Sequence, residues 1–130
     1  MPRDGECVLD VVPADVAERL RAPAADAGGV RLPIPLSHAE IVASHGAWYA
    51  ERIRDQPLAT FTQPLRLERE PGAGLPCTYI RTTKERDPTF DESARRAREL
   101  GWRYEEIATI HDAQIDDPDG LVELLVAAAG

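Results

Sequence analysis

The chain has 130 residues, a formal net charge of −8 and a sequence pI near 4.8, with 43% hydrophobic and 29% charged residues. This balance fits a soluble globular class, and the length allows one domain with a modest core. A net anion of this size argues against nucleic acid or an anionic membrane as a generic partner. No apolar run approaches the roughly 20 residues that span a bilayer, and the segment Met1-Pro2-Arg3-Asp4-Gly5 has no apolar stretch of a secretory signal. Two cysteines, Cys7 and Cys77, offer neither metal-ligand spacing nor a disulfide framework, so a cytoplasmic location is expected.

Residues 14 to 22 read as a first helix, opened by Pro13, with Asp15 and Glu18 near its start and Val16 and Leu20 one turn apart. Residues 24 to 36 read as a loop. A second helix is predicted from about His38 to Arg54, with Ser37 and Glu40 as a capping box and Ile41, Trp48 and Tyr49 near one face. Gln56-Pro57 stops it, and residues 58 to 76 read as extended or irregular chain.

The second half is more regular. Residues 77 to 83, CTYIRTT, are rich in β-branched and aromatic residues and predict a strand. Asp87-Pro88 opens a helix that runs through Leu100, with Phe90, Ala94, Ala97 and Leu100 as its stripe and Gly101 as its stop. Arg103 to Ile110 predicts a second strand. Asp117-Pro118 opens a last helix on which Leu121, Val122, Leu124 and Leu125 are expected to pack inward. Strand, helix, strand normally makes a right-handed parallel unit, so both strands end at one sheet edge. Ligands of open α/β sheets bind at that edge. The loop after the first strand is Lys84-Glu85-Arg86-Asp87, and the loop after the second holds His111-Asp112. Two parallel strands are too few for a sheet covered on both faces, so either the irregular first half supplies further strands or part of the domain is absent.

Several separated segments, in order, carry a resemblance. They are Pro76-Cys77-Thr78-Tyr79-Ile80-Arg81, then the run from Gly101-Trp102 to His111-Asp112, then Pro118 and Leu124-Leu125. Together they resemble the C-terminal part of an α/β-hydrolase, in the bacterial esterase-like group related to plant methylesterases and hydroxynitrile lyases. Residues 2 to 6 resemble the segment after the sixth strand of that fold, and residues 56 to 65 its passage from helical cap to sheet. The fold class implied is α/β: one incomplete domain, with residues 1–65 as cap region and connections and 66–130 as the strand-helix-strand-helix end of the core. The resemblance covers only the second half of a complete member, and an in-frame G-x-S-x-G encoded upstream of Met1 is what would establish truncation.

The resemblance implies serine-type hydrolysis of a small carboxylic ester. His111 matches the catalytic histidine, the base that activates a serine hydroxyl and then protonates the leaving group. The acid that orients it is expected at Glu85 or Asp87, with Asp4 an alternative; Asp87 also suits the cap of the following helix. Trp48 is read as a packing residue or, on the cap, as a contact for an apolar acyl or aryl substrate. No metal or organic cofactor is implied. The nucleophile is the departure: Ser37, Ser44 and Ser93 all lie outside any G-x-S-x-G elbow, and the oxyanion loop is missing, so this chain alone is expected to be inactive. Its partners are then a small-molecule ester in complete relatives and, for this chain, a second copy or a complementing chain. The alternative function is a non-catalytic module that associates through its exposed sheet edge.

The remaining features have structural readings. His38 and His45 lack further metal ligands around them, and Asp112, Asp116, Asp117 and Asp119 lack the spacing of a calcium loop. Arg95, Arg96 and Arg98 read as a solvated helix face paired with Asp91, Glu92 and Glu99, and Cys77 as a buried, inert thiol.

Overall fold

A computed structural model describes residues 2–26, 28–29, 31–32, 48, 51–52, 54–84 and 87–130. The predicted second helix, with its Ser37–Glu40 box, falls almost wholly outside them. The chain divides into two compact units, Pro2–Arg66 and Leu67–Gly130. Both α and β elements are present, and the one parallel pairing among the described residues is a two-stranded sheet in the second unit.

In the first unit, α1 (Val8–Val11) starts at Cys7, whose backbone N–H donates to Asp10 Oδ2 at 2.7 Å. That hydrogen bond holds the Asp10 carboxyl below its ordinary value. Pro13 follows, and α2 (Ala14–Asp26) begins with Ala17 N–H on the Pro13 carbonyl. The helix runs past the predicted end at residue 22 and through Pro23, which has no N–H to give the ladder. Ala24 is fully buried and its carbonyl accepts from Gly29 N–H at 2.7 Å; these hold the last turn that the sequence reading left as loop. Cys7, Leu9 and Ala17 form the buried cluster, with Val12, Leu20 and Phe61 packed on it. Strand β1 (Arg31–Leu32) pairs antiparallel with β2 (Gln56–Pro57), followed by a one-turn helix, α3 (Ala59–Thr62), where irregular chain was expected. Gly5 N–H donates to the Leu65 carbonyl and Leu65 N–H to that of Glu6, closing the unit.

In the second unit, β3 (Thr78–Thr82) and β4 (Arg103–Ile107) pair in parallel, Tyr79 opposite Tyr104 and Arg81 opposite Glu106. Between them runs α4 (Pro88–Glu99), capped by Asp87 and ended at Gly101 with φ +71°, a conformation that glycine takes without a Cβ penalty. Small residues let α4 lie close to the sheet: Ser93, Ala94 and Ala97 are its buried face. Leu100, expected on that stripe, is exposed because it follows the last helical residue. Ahead of β3, Gly72 at φ +85° leaves room for Cys77: a Cβ there would stand 2.7 Å from the Cys77 sulfur. The Cys77 thiol is partly buried, not sealed in a core.

Strand β4 ends three residues before the predicted Ile110. Thr109 N–H turns back onto the Ile107 carbonyl at 2.9 Å, which breaks the ladder. A short helix that the sequence reading lacked, α5 (Ala113–Asp116), precedes α6 (Pro118–Ala129). Asp117 caps α6 by accepting from Gly120 N–H. Val122 and Leu125, expected inward, are 56% and 52% exposed, and Val126 is 68% exposed. The apolar surface of α6 is wider than a two-stranded sheet covers.

The solvated face expected on α4 holds only in part: the Arg96 side chain is 11% exposed, Arg98 lies over the Tyr104 ring, and Asp91 pairs with Arg81 of β3. On α4, Glu92 accepts from Arg95 and Arg96, and Arg95 also pairs with Glu99. These hydrogen bonds hold the Glu92 carboxyl down at about 2, from an ordinary 4.5. A depressed carboxylate stabilises the fold above its unfolded value and loses that contribution as pH falls through its folded value. Thermal unfolding followed by circular dichroism should therefore show wild type losing stability between pH 4.5 and 2 more steeply than Glu92→Gln.

Candidate functional site

The candidate site is the end of the parallel pair. Because β3 and β4 run the same way, the chain leaves both at one edge, and the departing segments are tied together. Thr83 N–H donates to the Ile107 carbonyl and Lys84 N–H to that of Thr109, both at 3.0 Å. Thr109 and Ile110 are buried, whereas His111, the next residue, is exposed. The imidazole lies nearly parallel to the Phe90 ring, with centroids 4.7 Å apart and planes at 14°. Phe90 stands in the first turn of α4, and the Arg81 guanidinium lies 5.4 Å from its ring centroid.

His111 and Phe90 line an open groove of about 310 Å³, with residues 79–82 of β3 and Leu121 of α6. Successive side chains of a strand point to opposite faces, so four in a row reach one cavity only along the strand's edge. The groove is therefore the edge of β3 that faces away from β4. The ladder sets which groups lie there. Arg103 N–H donates to the Cys77 carbonyl and Thr83 N–H to that of Ile107, so odd-numbered residues of β3 address β4. The backbone groups of Thr78, Ile80 and Thr82 address the groove. At its His111 end the Thr82 carbonyl accepts from Arg81 Nη1 at 2.7 Å.

Arg81 is the buried charge of the site. Its side chain is 9% exposed and its Nη2 donates to Asp91 Oδ1 at 2.9 Å, Asp91 itself standing largely in solvent. Tyr79 donates to the Phe90 carbonyl at 3.3 Å, and burial pushes its phenol up, so it holds its proton through the neutral range.

The residues singled out from the sequence have different fates. His111 stands four residues past the end of β4, exposed and beside a groove. Among the described residues no carboxylate hydrogen-bonds its ring. Asp87 is engaged elsewhere: its Oδ1 accepts from Thr89 N–H at 2.7 Å as the α4 cap. Glu85 lies outside the described residues. Asp4 belongs to the other unit, in an exposed turn. Trp48 is 51% exposed, with the Arg52 guanidinium 4.6 Å over its ring and Arg52 Nη1 donating to its carbonyl. Ser93 is buried on α4, so it presents no nucleophile to solvent. Among the described residues no group of three metal-ligating side chains converges, and no helix is long and apolar enough to cross a membrane.

Sequence reasoning missed Arg81, Phe90 and Asp116 as site residues. Phe90 was read as core from its helical spacing. Arg81 pairs with Asp91, which the crossover helix brings to it. No family model, curated protein or solved structure matches this chain.

The Asp87 cap separates two roles that the sequence left joined. Asp87→Ala should lower stability by about 1 kcal/mol, the usual worth of such a cap, read from urea unfolding. Asp87→Asn or Asp87→Ser should recover most of that loss, since either side chain accepts the Thr89 N–H.

Proposed function

We propose that this chain supplies the histidine-bearing part of an ester hydrolase site of the α/β-hydrolase kind, with His111 as general base. The observation that carries the reading is the exposed His111 ring at the exit edge of a parallel strand pair, on the rim of a groove. A base must reach a hydroxyl and a substrate, so it has to stand outside the core, and this one does. The serine, its elbow and the oxyanion donors come from polypeptide other than the 130 residues described. The reaction is acyl transfer from a small carboxylic ester to that serine and then to water. His111 takes the hydroxyl proton and returns it to the leaving alcohol. The resemblance implies Glu85 or Asp87 as the orienting acid, and the use of Asp87 as a helix cap favours Glu85. No metal or cofactor enters the scheme.

Extending the chain with the sequence encoded directly upstream gives the test. An in-frame G-x-S-x-G is expected, together with hydrolysis of a short-chain aryl ester that falls on the order of 10³-fold or more in His111→Ala. An extended protein that lacks the elbow, or one that keeps its activity without His111, overturns the reading.

Among the described residues nothing pairs with the groove-facing edge of β3, which favours a second reading, association through that edge. Between α4 and α6 it offers the backbone groups of Thr78 and Ile80, and unpaired strands invite partners. Light scattering should then find the chain as a dimer or larger. Thr78→Pro removes a groove-facing N–H while leaving the β4 ladder intact, and should yield monomers. A well-folded wild-type monomer sinks this second reading.

A further inference from the structure

The geometry points to Asp116 as a positioning residue for His111: one carboxylate oxygen clasps together the two loops that leave β3 and β4, and so fixes where the imidazole stands. This rests on the reading of His111 as the working base, and the clasp itself is visible without it. Asp116 Oδ2 accepts from Ile110 N–H at 3.3 Å and from Lys84 Nζ at 2.8 Å. Ile110 is the residue before His111, and Lys84 is the second residue after β3. The Lys84 backbone is itself bound to Thr109 through its N–H. On the other side of His111, the Asp112 carbonyl accepts from the N–H groups of Ile115 and Asp116. The histidine is therefore the one exposed link between two pinned residues, and its ring has Phe90 as a backstop.

Magnitude separates positioning from mere stability here. The Lys84 side chain is 53% exposed, and an ion pair so open to water adds little to the global free energy of folding. Its effect is local, because the oxygen it touches also holds the amide next to the base. A displacement of about 1 Å at a reacting group is costly to rate, so such local order matters more to chemistry than to folding.

The Phe90 stack gives a readout that owes nothing to catalysis. In the full chain the His111 ring protons, identified by their loss in His111→Gln, should resonate upfield of free histidine because they lie over the Phe90 face. Lys84→Met and Asp116→Ala should each reduce that displacement by roughly half or more, at temperatures far below unfolding, and Lys84→Arg should restore it. Unchanged His111 resonances in Lys84→Met overturn the proposal, whatever Asp116→Ala does. Unchanged resonances in a folded Asp116→Ala overturn it as well. If Asp116→Ala fails to fold, Lys84→Met decides alone. The stack is measured in the free chain, so its failure leaves His111 as a base untouched, and loss of the hydrolytic reading leaves the clasp standing.

Discussion

The parallel pairing of β3 with β4 is the constraint from which the second unit follows. Parallel neighbours need a crossover, and here the crossover is α4, twelve residues of small buried face and charged outer face. The crossover brings the chain back to the same starting edge, so both strands also finish together. The loop after β3 and the loop after β4 then meet with no further device, and the bonds from Thr83 and Lys84 to the second loop record the meeting. A reversed β4 would carry its end, and His111 with it, to the opposite edge.

What this edge presents is unevenly built. The backbone around His111 is heavily bonded, with buried Thr109 and Ile110 on one side and α5 on the other. The imidazole has an aromatic neighbour and an open groove. The carboxylate nearest in sequence logic, Asp87, does a helix-cap's work. A cap and a triad acid make incompatible demands: the first spends its oxygen on a backbone N–H, the second needs it aimed at a ring nitrogen. Among the described residues no carboxylate or hydroxyl hydrogen-bonds the His111 ring.

The groove runs along β3. Its floor is strand edge, and three helices line it, through Phe90 of α4, Ala113 and Gln114 of α5 and Leu121 of α6. The exposed Val122, Leu125 and Val126 on α6 extend the apolar surface beyond what β3 and β4 cover. A further strand laid beside β3 would meet the backbone groups of Thr78 and Ile80, bury part of that surface, and stop at Thr82, whose carbonyl Arg81 already occupies. Whether such a strand comes from the same polypeptide or from another, the physical demand is the same.

Local chemistry was enough to read much of the second unit from its residues. Asp-Pro pairs at 87–88 and 117–118 open helices because proline suits the first turn and aspartate caps it; Gly101 ends one because it alone tolerates positive φ there. The β-branched run at 78–82 made β3, and the alternation of strand and helix gave the parallel order. His111 was expected directly after the second strand and lies four residues past the end of β4. Properties that depend on partners distant in sequence were out of reach. Burial of Ala24 carried α2 past Pro23, and Val122 and Leu125 stand exposed beside a sheet that has two strands among the described residues. Arg81 became a buried charge, and Asp116 a clasp, only when the crossover brought Asp91, Lys84 and Ile110 to them. Capping and turn chemistry act within a few residues and are written in the sequence; burial and ion pairing depend on what the fold brings near, which only the tertiary structure decides.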